Sequence, residues 1–337
     1  LTTLVDLGDD RGPAWDQARA RLLETVAQLR AGSPPEPWPD APTDAPADDA
    51  AGGQARQPPP MTRNQTPEAF EAAVAVAKEA IAAGEVFQVV LSQRFDVACA
   101  IAPLQLYRAL RAISPSPYMF LLDLGDVALI GASPEVLVRV EDGEVLLRPI
   151  AGTRRRGADE DEDAALAADL SADPKELAEH RMLLDLGRND VGRVAAIGSV
   201  RVLDPLHIER YSHVMHLVSD VRGRLAPGRD ALDALAAAFP AGTVSGAPKV
   251  RALELIGQLE PDRRGAYAGA VGYLDVRGNL DTALAIRTVV AQNGVLSVQA
   301  GAGIVHDSQP ALEQAECEAK ARAALTAIAF AAAHEVD

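Results

Sequence analysis

The chain has 337 residues, 48% of them hydrophobic, and a formal net charge of −16 at pH 7. This length and hydrophobic content are enough to bury a substantial core, which predicts a globular protein and excludes a disordered one. The acidic balance argues against a nucleic-acid partner, no apolar run is long enough to span a membrane, and no signal peptide or disulfide framework is visible, so we expect a cytoplasmic protein.

The predicted elements at the start of the chain are few. TTLVDL (2–7) predicts a short strand, and the apolar spacing over 13–31 predicts a helix. Residues 33–63 are rich in Pro, Ala, Asp and Gly and indicate a linker. We therefore expect a strand and a helix at 1–32, a linker, and a larger domain at 64–332.

Helix and strand patterns then alternate to the end of the chain. TPEAFEAAVAVAKEAIAAGE (66–85) begins with Thr as N-cap, Pro and Glu, which predicts a helix, and VFQVVLSQRFDVA (86–98) predicts a strand. Residues 118–150 predict a meander of strands. Further helices are predicted at 173–193, 230–239 and 309–332, further strands at 198–204, 213–223, 269–276, 280–291 and 294–300, and an acidic loop at 157–175. Hairpin-connected strands with interleaved helices favour an α+β fold with large, mainly antiparallel sheets.

The segment FPAGTVSGAPKVR (239–251) concentrates small residues just before a helical pattern. Small residues let backbone N–H groups approach a ligand closely. Pro248 fits the first position of the helix, with Ser245 and Gly246 as candidate caps. A helix N-terminus of this kind can bind an anion. The segment is therefore either a ligand-binding loop or an ordinary capped loop.

Two helices carry paired glutamates. Glu176 and Glu179 lie three residues apart and share a helix face, and Glu313 and Glu316 repeat that spacing on the last helix, with Lys320 one turn further. Carboxylates from two helices would suit Mg²⁺, which prefers oxygen ligands and keeps some waters. The spacing also fits a capping role for Glu176 and solvated faces for the others.

Other polar residues have two readings. His213 and His216 point to opposite faces of a predicted strand, so they do not bind one metal together. Tyr267 and Arg287 could bind a carboxylate, with Arg287 as a bidentate fork, but packing explains them equally well. The glycines of QAGAGIV (299–305) lie at a strand end, where bare backbone could contact a ligand.

Long motifs are spread over roughly residues 64–325. They are PIAGTRRRG (149–157), ELAEHRMLLDLGRNDVGRV (176–194), SHVMHLVSDVRG (212–223), FPAGTVSGAPK (239–249), RGAYAGAVGY (264–273), ALAIRT (283–288) and QAGAGIVHDS (299–308). In this order they resemble the chorismate-utilising enzymes, most closely the branch that forms anthranilate. The resemblance implies two large antiparallel sheets packed as a sandwich with flanking helices, and a site between sheet and helices.

The resemblance also implies a reaction and a set of residues. Chorismate and ammonia would give anthranilate and pyruvate with Mg²⁺ as cofactor, and a separate glutamine amidotransferase subunit would supply the ammonia. The matching residues are Glu135 as general acid, Glu179 and Glu316 as metal ligands with Glu176 and Glu313 as neighbours, Gly242, Thr243 and the following loop amides at the ring carboxylate, Tyr267, Arg287, Gly301, Ala302 and Gly303 at the enolpyruvyl carboxylate, Lys320 beside the metal, and His216 for loss of pyruvate. Thr243 and Lys320 are also expected to take part in catalysis.

Two positions distinguish among the family's branches. Aminodeoxychorismate synthases have a nucleophilic Lys where this chain has Ala151, and isochorismate and salicylate synthases have a water-activating Lys where it has Gln88. An amide cannot act as that base. The remaining alternatives are an aminodeoxyisochorismate synthase, which stops before pyruvate loss, and a non-catalytic chorismate-binding paralogue.

The beginning of the chain departs from the family pattern. Relatives carry a longer N-terminal region with an LLES motif in a tryptophan feedback pocket. Here LLET (22–25) lies in a helical pattern, and we interpret it as a chance match. We therefore expect that the N-terminal part of the family fold is missing and that the chain alone is not inhibited by tryptophan.

Overall fold

The computed structural model describes residues 11–31, 60–211 and 214–334. The helices are α1 (Arg11–Ala31), α2 (Pro67–Ala82), α3 (Pro103–Ile113), α4 (Glu160–Ala172), α5 (Pro174–Gly192), α6 (Ala231–Ala238), α7 (Lys249–Leu259) and α8 (Pro310–Ala333). The strands are β1 (Met61–Arg63), β2 (Gln88–Ala98), β3 (Tyr118–Asp123), β4 (Ala128–Ser133), β5 (Val136–Glu141), β6 (Glu144–Leu147), β7 (Ile150–Arg155), β8 (Arg201–Arg210), β9 (Val214–Arg224), β10 (Gly246–Ala247), β11 (Ala270–Leu274), β12 (Leu280–Leu284), β13 (Thr288–Gln292) and β14 (Val295–Ile304). None of these helices is both long and apolar enough to cross a membrane.

The chain divides into two compact units, Leu1–Thr43 and Asp44–Asp337. In the first unit, α1 confirms the predicted helix at 13–31, and the LLET tetrapeptide lies within it. The predicted strand at 2–7 and most of the predicted linker lie outside the described residues. The last residues of that linker instead form β1, which pairs with β2. A three-residue strand is too short to give an alternating pattern in the sequence.

The second unit is built on two seven-stranded sheets. Sheet one has the strand order β1-β2-β14-β13-β4-β3, with β10 beside β2. Sheet two has the order β11-β12-β5-β6-β9-β7, with β8 paired to β9. All of the strand pairs are antiparallel. This architecture, with helices packed on both sheets, confirms the predicted α+β fold.

The helices α2 and α8 pack on sheet one and form an apolar core with it. Phe70 and Val74 lie one turn apart on α2 and pack with Leu91 of β2, Ile304 of β14 and Cys317 of α8. All five side chains are buried, which explains the apolar face of α2. Full burial of a side chain such as Phe70 contributes about 1.5–3 kcal/mol. This core packs α8 against β14.

Capping residues define two of the predicted helices. The Thr66 side chain accepts a hydrogen bond from Ala69 N–H at 3.2 Å, which begins α2. The Asp173 carboxylate accepts from Lys175 N–H at 2.9 Å and Glu176 N–H at 3.2 Å, which begins α5. The sequence predicted both helices, and these side chains satisfy N–H groups that a helix start leaves free.

The acidic stretch after β7 is a helix, so the predicted loop at 157–175 is wrong. Asp159 accepts a hydrogen bond from Glu162 N–H at 2.8 Å and caps α4. Acidic residues fill the first turn of α4, where they interact favourably with the helix dipole. Leu170, near the end of α4, is fully buried. In this segment the acidic residues belong to the start of a helix and not to a loop.

The helix α7 begins at Lys249, and Pro248 is its N-cap residue rather than its first residue. The predicted caps are also wrong. The Ser245 hydroxyl donates to the Ala241 carbonyl at 2.7 Å, and Gly246 pairs with Val89 of β2. A Cβ on Gly246 would lie 2.2 Å from the carbonyl oxygen of Gln88, so the glycine permits close approach of two strands.

Two of the chain's crossings between the sheets lie next to each other. β4 of sheet one leads into β5 of sheet two through Glu135, and β12 leads back into β13 of sheet one through Arg287. The crossings are bonded to each other: Leu284 N–H donates to the Glu135 carbonyl at 3.0 Å, and Ala132 N–H donates to the Arg287 carbonyl at 3.1 Å. Glu135 and Arg287 are therefore neighbours at the junction of the sheets.

The second crossing corrects the single strand predicted at 280–291. That stretch contains two strands, β12 and β13, which belong to different sheets. Arg287 between them has a φ of 49°. A left-handed φ is uncommon for a residue other than glycine, and such positions cluster at functional sites. The break is not visible in the sequence because both halves have strand-forming residues.

Candidate active site

A cavity of about 800 Å³ opens beside the junction of the two sheets, between α5 and α8. Its wall contains most of the residues that the sequence predicted. They are Glu135, Glu176, Glu179, His216, Thr243, Tyr267, Arg287, Gly301, Gly303, Glu313, Glu316 and Lys320. α5 packs on sheet two and α8 on sheet one, so the fold brings distant parts of the sequence together at this point.

Two predicted residues lie behind the cavity wall. A Cβ on Gly242 would be 1.8 Å from a Leu186 methyl carbon of α5, so this glycine fits its turn against the helix. Gly242 lines a separate small cavity of about 40 Å³, which Glu135 also lines. The Ala302 side chain is fully buried in the core of sheet one. The structure therefore does not place the side chain of Ala302 in the site.

Glu135 occupies the junction of the sheets and receives one close hydrogen bond. The Thr243 hydroxyl donates to its Oε1 at 2.8 Å. Burial raises the pKa of Glu135 to about 7, although the Thr243 hydrogen bond and the charges of Lys320 and Arg287 lower it. A carboxylic acid that titrates near pH 7 is suited to general acid catalysis in a neutral environment.

His216 on β9 faces Thr153 of the neighbouring strand β7. Its Nδ1 lies 3.1 Å from the Gly152 carbonyl oxygen and 3.0 Å from the Thr153 hydroxyl oxygen. Because a carbonyl only accepts hydrogen bonds, we assign the imidazole proton to Nδ1 and a free lone pair to Nε2. Burial lowers the pKa of His216, and Arg287 lowers it further while the Gly152 bond raises it. The imidazole is therefore a neutral base at pH 7.

Glycines on β14 let two polar side chains approach its backbone. A Cβ on Gly301 would lie 2.7 Å from the Tyr267 hydroxyl oxygen, and a Cβ on Gly303 would lie 2.5 Å from Nε2 of Gln88. Burial raises the pKa of Tyr267, so its hydroxyl remains a neutral donor at pH 7. The strand backbone, a phenol and an amide thus form one side of the cavity.

Four glutamates line the cavity between α5 and α8, two on each helix. Burial and the charges of Glu176 and Glu316 raise the pKa of Glu179, and burial and the charge of Glu316 raise the pKa of Glu313. Arg154 compensates Glu176 at 3.3 Å. In the described ranges, no three acidic, histidine or cysteine side chains are close enough to form a preassembled metal shell. Mg²⁺ binds proteins through one or two carboxylates and keeps waters. One carboxylate from α5 and one from α8, which repel each other without a cation, fit this requirement.

Lys320 connects this acidic cluster to sheet one. Its Nζ lies 2.7 Å from Glu316 Oε1 and donates to the Gly301 carbonyl at 3.0 Å. Its charge also lowers the pKa of Glu135 and of Glu179. Lys320 therefore lies between the acid at the sheet junction and the glutamates on the helices.

Sequence reasoning missed several residues of the cavity wall. Gly152 and Thr153 contact His216, and Lys175 at the start of α5 lies near Glu179. The motif PIAGTRRRG contains the first two, and the pairing of β7 with β9 explains their position. That pairing joins segments more than sixty residues apart, so no local pattern indicates it.

Comparison with known proteins agrees with this geometry. Residues 13–326 match the family described as chorismate binding enzyme. The chain is 53% identical over 318 residues to anthranilate synthase component 1 of Pseudomonas aeruginosa, covering 94% of this chain and 63% of the relative. It is 54% identical over 318 residues to the component 1 protein of Thermus thermophilus, covering 94% of this chain and 66% of the relative.

A solved structure shows the same fold. The crystal structure of anthranilate synthase component I from Streptococcus pneumoniae matches with a TM-score of 0.80 and 43% sequence identity, covering 92% of this chain and 66% of that one. The chain thus spans less than two thirds of each of these three proteins. With two antiparallel sheets, a cavity at their junction and a family match over 13–326, the chain belongs to the chorismate binding enzyme family.

Proposed function

We propose that the chain catalyses the synthase reaction of anthranilate formation, in which chorismate and ammonia give anthranilate, pyruvate and water. One observation carries the proposal: the acid Glu135, the neutral base His216 and the paired glutamates of two helices line one cavity. The similarity to anthranilate synthase component 1 proteins supports it. The proposal concerns the part of those proteins that this chain shares.

Two cavity residues favour ammonia as the nucleophile. Gln88 is only 4% exposed, and its Oε1 has no hydrogen-bond partner among the residues that the structure describes. An amide oxygen accepts an N–H group, but an amide cannot remove a proton from water. Ala151 lines the same cavity, and its methyl group cannot form a covalent adduct. Both features argue against water addition and against a lysine adduct.

Glu135 is the proton donor of the first step. The nitrogen lone pair of ammonia forms a bond to ring carbon C2, the ring double bonds shift, and the C4–O bond breaks with its electron pair on oxygen. The Glu135 proton converts that oxygen to water, and the surplus proton of the new amino group restores the acid. Arg287 and Tyr267 would hold the enolpyruvyl carboxylate, one as a cation and one as a neutral donor.

His216 is the base of the second step. Its Nε2 takes the proton from C2, and the released electron pair completes the aromatic ring as the C3–O bond breaks. Enolpyruvate leaves and takes a proton to become pyruvate. A neutral imidazole is required for this transfer, and burial keeps His216 neutral by lowering its pKa.

We place a Mg²⁺ site between α5 and α8. Glu179 and Glu316 would hold the ion, with Glu176 and Glu313 as neighbours. When bound, Mg²⁺ would neutralise the ring carboxylate of chorismate and act as a Lewis acid near the departing hydroxyl. The raised pKa of Glu179 supports the placement, because a cation would relieve the repulsion that causes part of it.

We further propose that a glutamine amidotransferase subunit supplies the ammonia, that the reaction takes place in the cytoplasm, and that it opens tryptophan biosynthesis. The designation of the relatives as component 1 supports the existence of a second component. Without that subunit, free ammonia is the expected nitrogen donor.

Product analysis tests the proposed reaction. Chorismate, ammonium and Mg²⁺ are expected to give anthranilate and pyruvate in equal amounts, measured by fluorescence and by a coupled pyruvate assay. Glutamine is not expected to replace ammonium in the absence of a partner subunit. Isochorismate, salicylate or aminodeoxychorismate as the main product would contradict the proposal, and an aminated product that retains its pyruvyl group would indicate that the reaction stops after the first step.

The rate of amination is expected to fall as the pH rises through about 7. Burial raises the pKa of Glu135 to about 7, so the donating acid form persists up to that pH and disappears above it. Initial rates at constant free ammonia and saturating Mg²⁺ would measure this limb. A Glu135→Gln variant cannot donate an acid proton and should lose both the activity and the limb. A rate that stays constant across neutral pH would contradict the assignment of Glu135.

A further inference from the structure

Thr243 belongs to a turn that satisfies its own backbone groups. In the 3-10 turn Gly242–Val244, the N–H of Val244 donates to the Ala241 carbonyl at 3.3 Å, and the N–H of Ser245 donates to the Gly242 carbonyl at 3.2 Å. The Ser245 hydroxyl also donates to the Ala241 carbonyl, at 2.7 Å. The two amides that follow Thr243 are therefore bonded inside the turn and do not face a ligand.

The Thr243 hydroxyl has its own partner. It donates to Oε1 of Glu135 at 2.8 Å. A hydroxyl has a single proton, and the β-branched threonine side chain has few rotamers. A substrate carboxylate only accepts hydrogen bonds, so Thr243 cannot donate to it while it donates to Glu135. This arrangement argues against the expectation that Thr243 and the following amides bind the ring carboxylate.

We propose, building on the function proposed above, that Thr243 is a positioning residue for Glu135 and not a ligand of the ring carboxylate. The hydroxyl occupies Oε1, so the transferable proton of the acid is held on Oε2. From Oε2 the proton passes to the departing hydroxyl oxygen, the C4–O bond breaks with its electrons on that oxygen, and water leaves. Thr243 thereby fixes which oxygen of Glu135 reacts.

The surroundings of Glu135 give the direction of the expected pH effect. The Thr243 hydrogen bond favours the ionised form of Glu135, so its removal should raise the pKa of this acid further. The other charged or titratable groups near Glu135 stay in place in a Thr243 variant. They are Lys320 on α8, Arg287 at the second crossing, Tyr267, and Arg148 and Asp190 around the small cavity.

Thr243→Val and Thr243→Ser test the proposal as a pair. In the valine variant, we expect kcat to fall about tenfold or more while KM for chorismate stays within about twofold, because the acid is misplaced and the substrate is not. The upper pH limb should move about one unit higher, which corresponds to one lost charge-assisted hydrogen bond. The serine variant retains the hydroxyl and should restore both properties.

Other results would overturn the proposal. A KM increase of about tenfold or more with an unmoved pH limb would assign Thr243 to the ring carboxylate. Equal losses in the serine and valine variants would show that the hydroxyl has no positioning role. If the valine variant does not fold by circular dichroism, Thr243→Ala replaces it, because alanine also removes the hydroxyl without adding a branched side chain.

A second measurement needs no turnover and separates this proposal from the proposed function. The infrared carbonyl band of protonated Glu135 is the band that disappears in Glu135→Gln. Its titration without substrate should have a higher midpoint in Thr243→Val than in the unaltered protein. The same midpoint in both would overturn the positioning role, even in an enzyme that forms anthranilate, whereas a raised midpoint would support it even if the product were different.

Discussion

Glutamine in place of Glu179 or Glu316 is expected to reduce turnover about a hundredfold or more while the fold stays intact. A neutral amide is a poor ligand for Mg²⁺, which prefers charged oxygen groups. Burial and neighbouring carboxylates raise the pKa of Glu179, so its ionised form is disfavoured in the folded protein. Removal of that charge should therefore leave the free energy of unfolding unchanged or raise it.

The two effects are measured separately. Steady-state rates over a Mg²⁺ titration give the loss of activity, and thermal unfolding without Mg²⁺ gives the stability. Asp185→Asn is a matched control, because Asp185 lies on the same helix as Glu179 but its side chain is 72% exposed and pairs with nearby Arg188. The control should change neither quantity. Near-normal rates in either glutamine variant at ordinary Mg²⁺ would contradict the proposed metal site.

Local patterns predict the elements of this fold better than they predict its sheets. Thr66 and Asp173 indicate where α2 and α5 begin, because a capping side chain bonds to an N–H group only two or three residues further along the chain. The strand predicted at 280–291 is wrong because the change from sheet two to sheet one depends on partners elsewhere in the chain. The loop predicted at 157–175 is wrong because a high acidic content is typical both of loops and of the first turn of a capped helix.

For the candidate site too, local patterns predict the residues but not their arrangement in space. The motifs identify residue types, and twelve of the predicted residues line one cavity. Their mutual geometry comes from long-range pairing: Thr153 meets His216 through β7 and β9, and Glu135 meets Arg287 through two bonded crossings. Spacing along the chain also could not show that Thr243 bonds to Glu135, because the contact joins positions 108 residues apart.

The buried ion pair between Lys249 and Asp190 should have the largest effect on stability. Lys249 Nζ lies 3.0 and 2.9 Å from the two carboxylate oxygens, and the two side chains are 15% and 5% exposed. The pair joins the start of α7 to α5. Lys249→Met removes the ion-pair partner of this buried carboxylate, which keeps a hydrogen bond to Asn189 and the charge of Arg193, and is expected to cost about 3 kcal/mol in the free energy of unfolding.

The cost of Lys249→Met should depend on pH in a defined direction. Burial raises the pKa of Asp190 even with Lys249 present, and loss of the lysine should raise it further. At a pH below the unfolded pKa of Asp190, the carboxyl is neutral in both states and the penalty is absent; it grows as the pH rises from there toward the raised folded pKa. Urea unfolding at about pH 5 and pH 8 should therefore show the larger loss at the higher pH.

Adding Asp190→Asn to Lys249→Met removes the buried charge and should recover most of the stability at the higher pH. Equal losses at both pH values, or a double variant no more stable than Lys249→Met alone, would show that the unpaired carboxylate is not the cause.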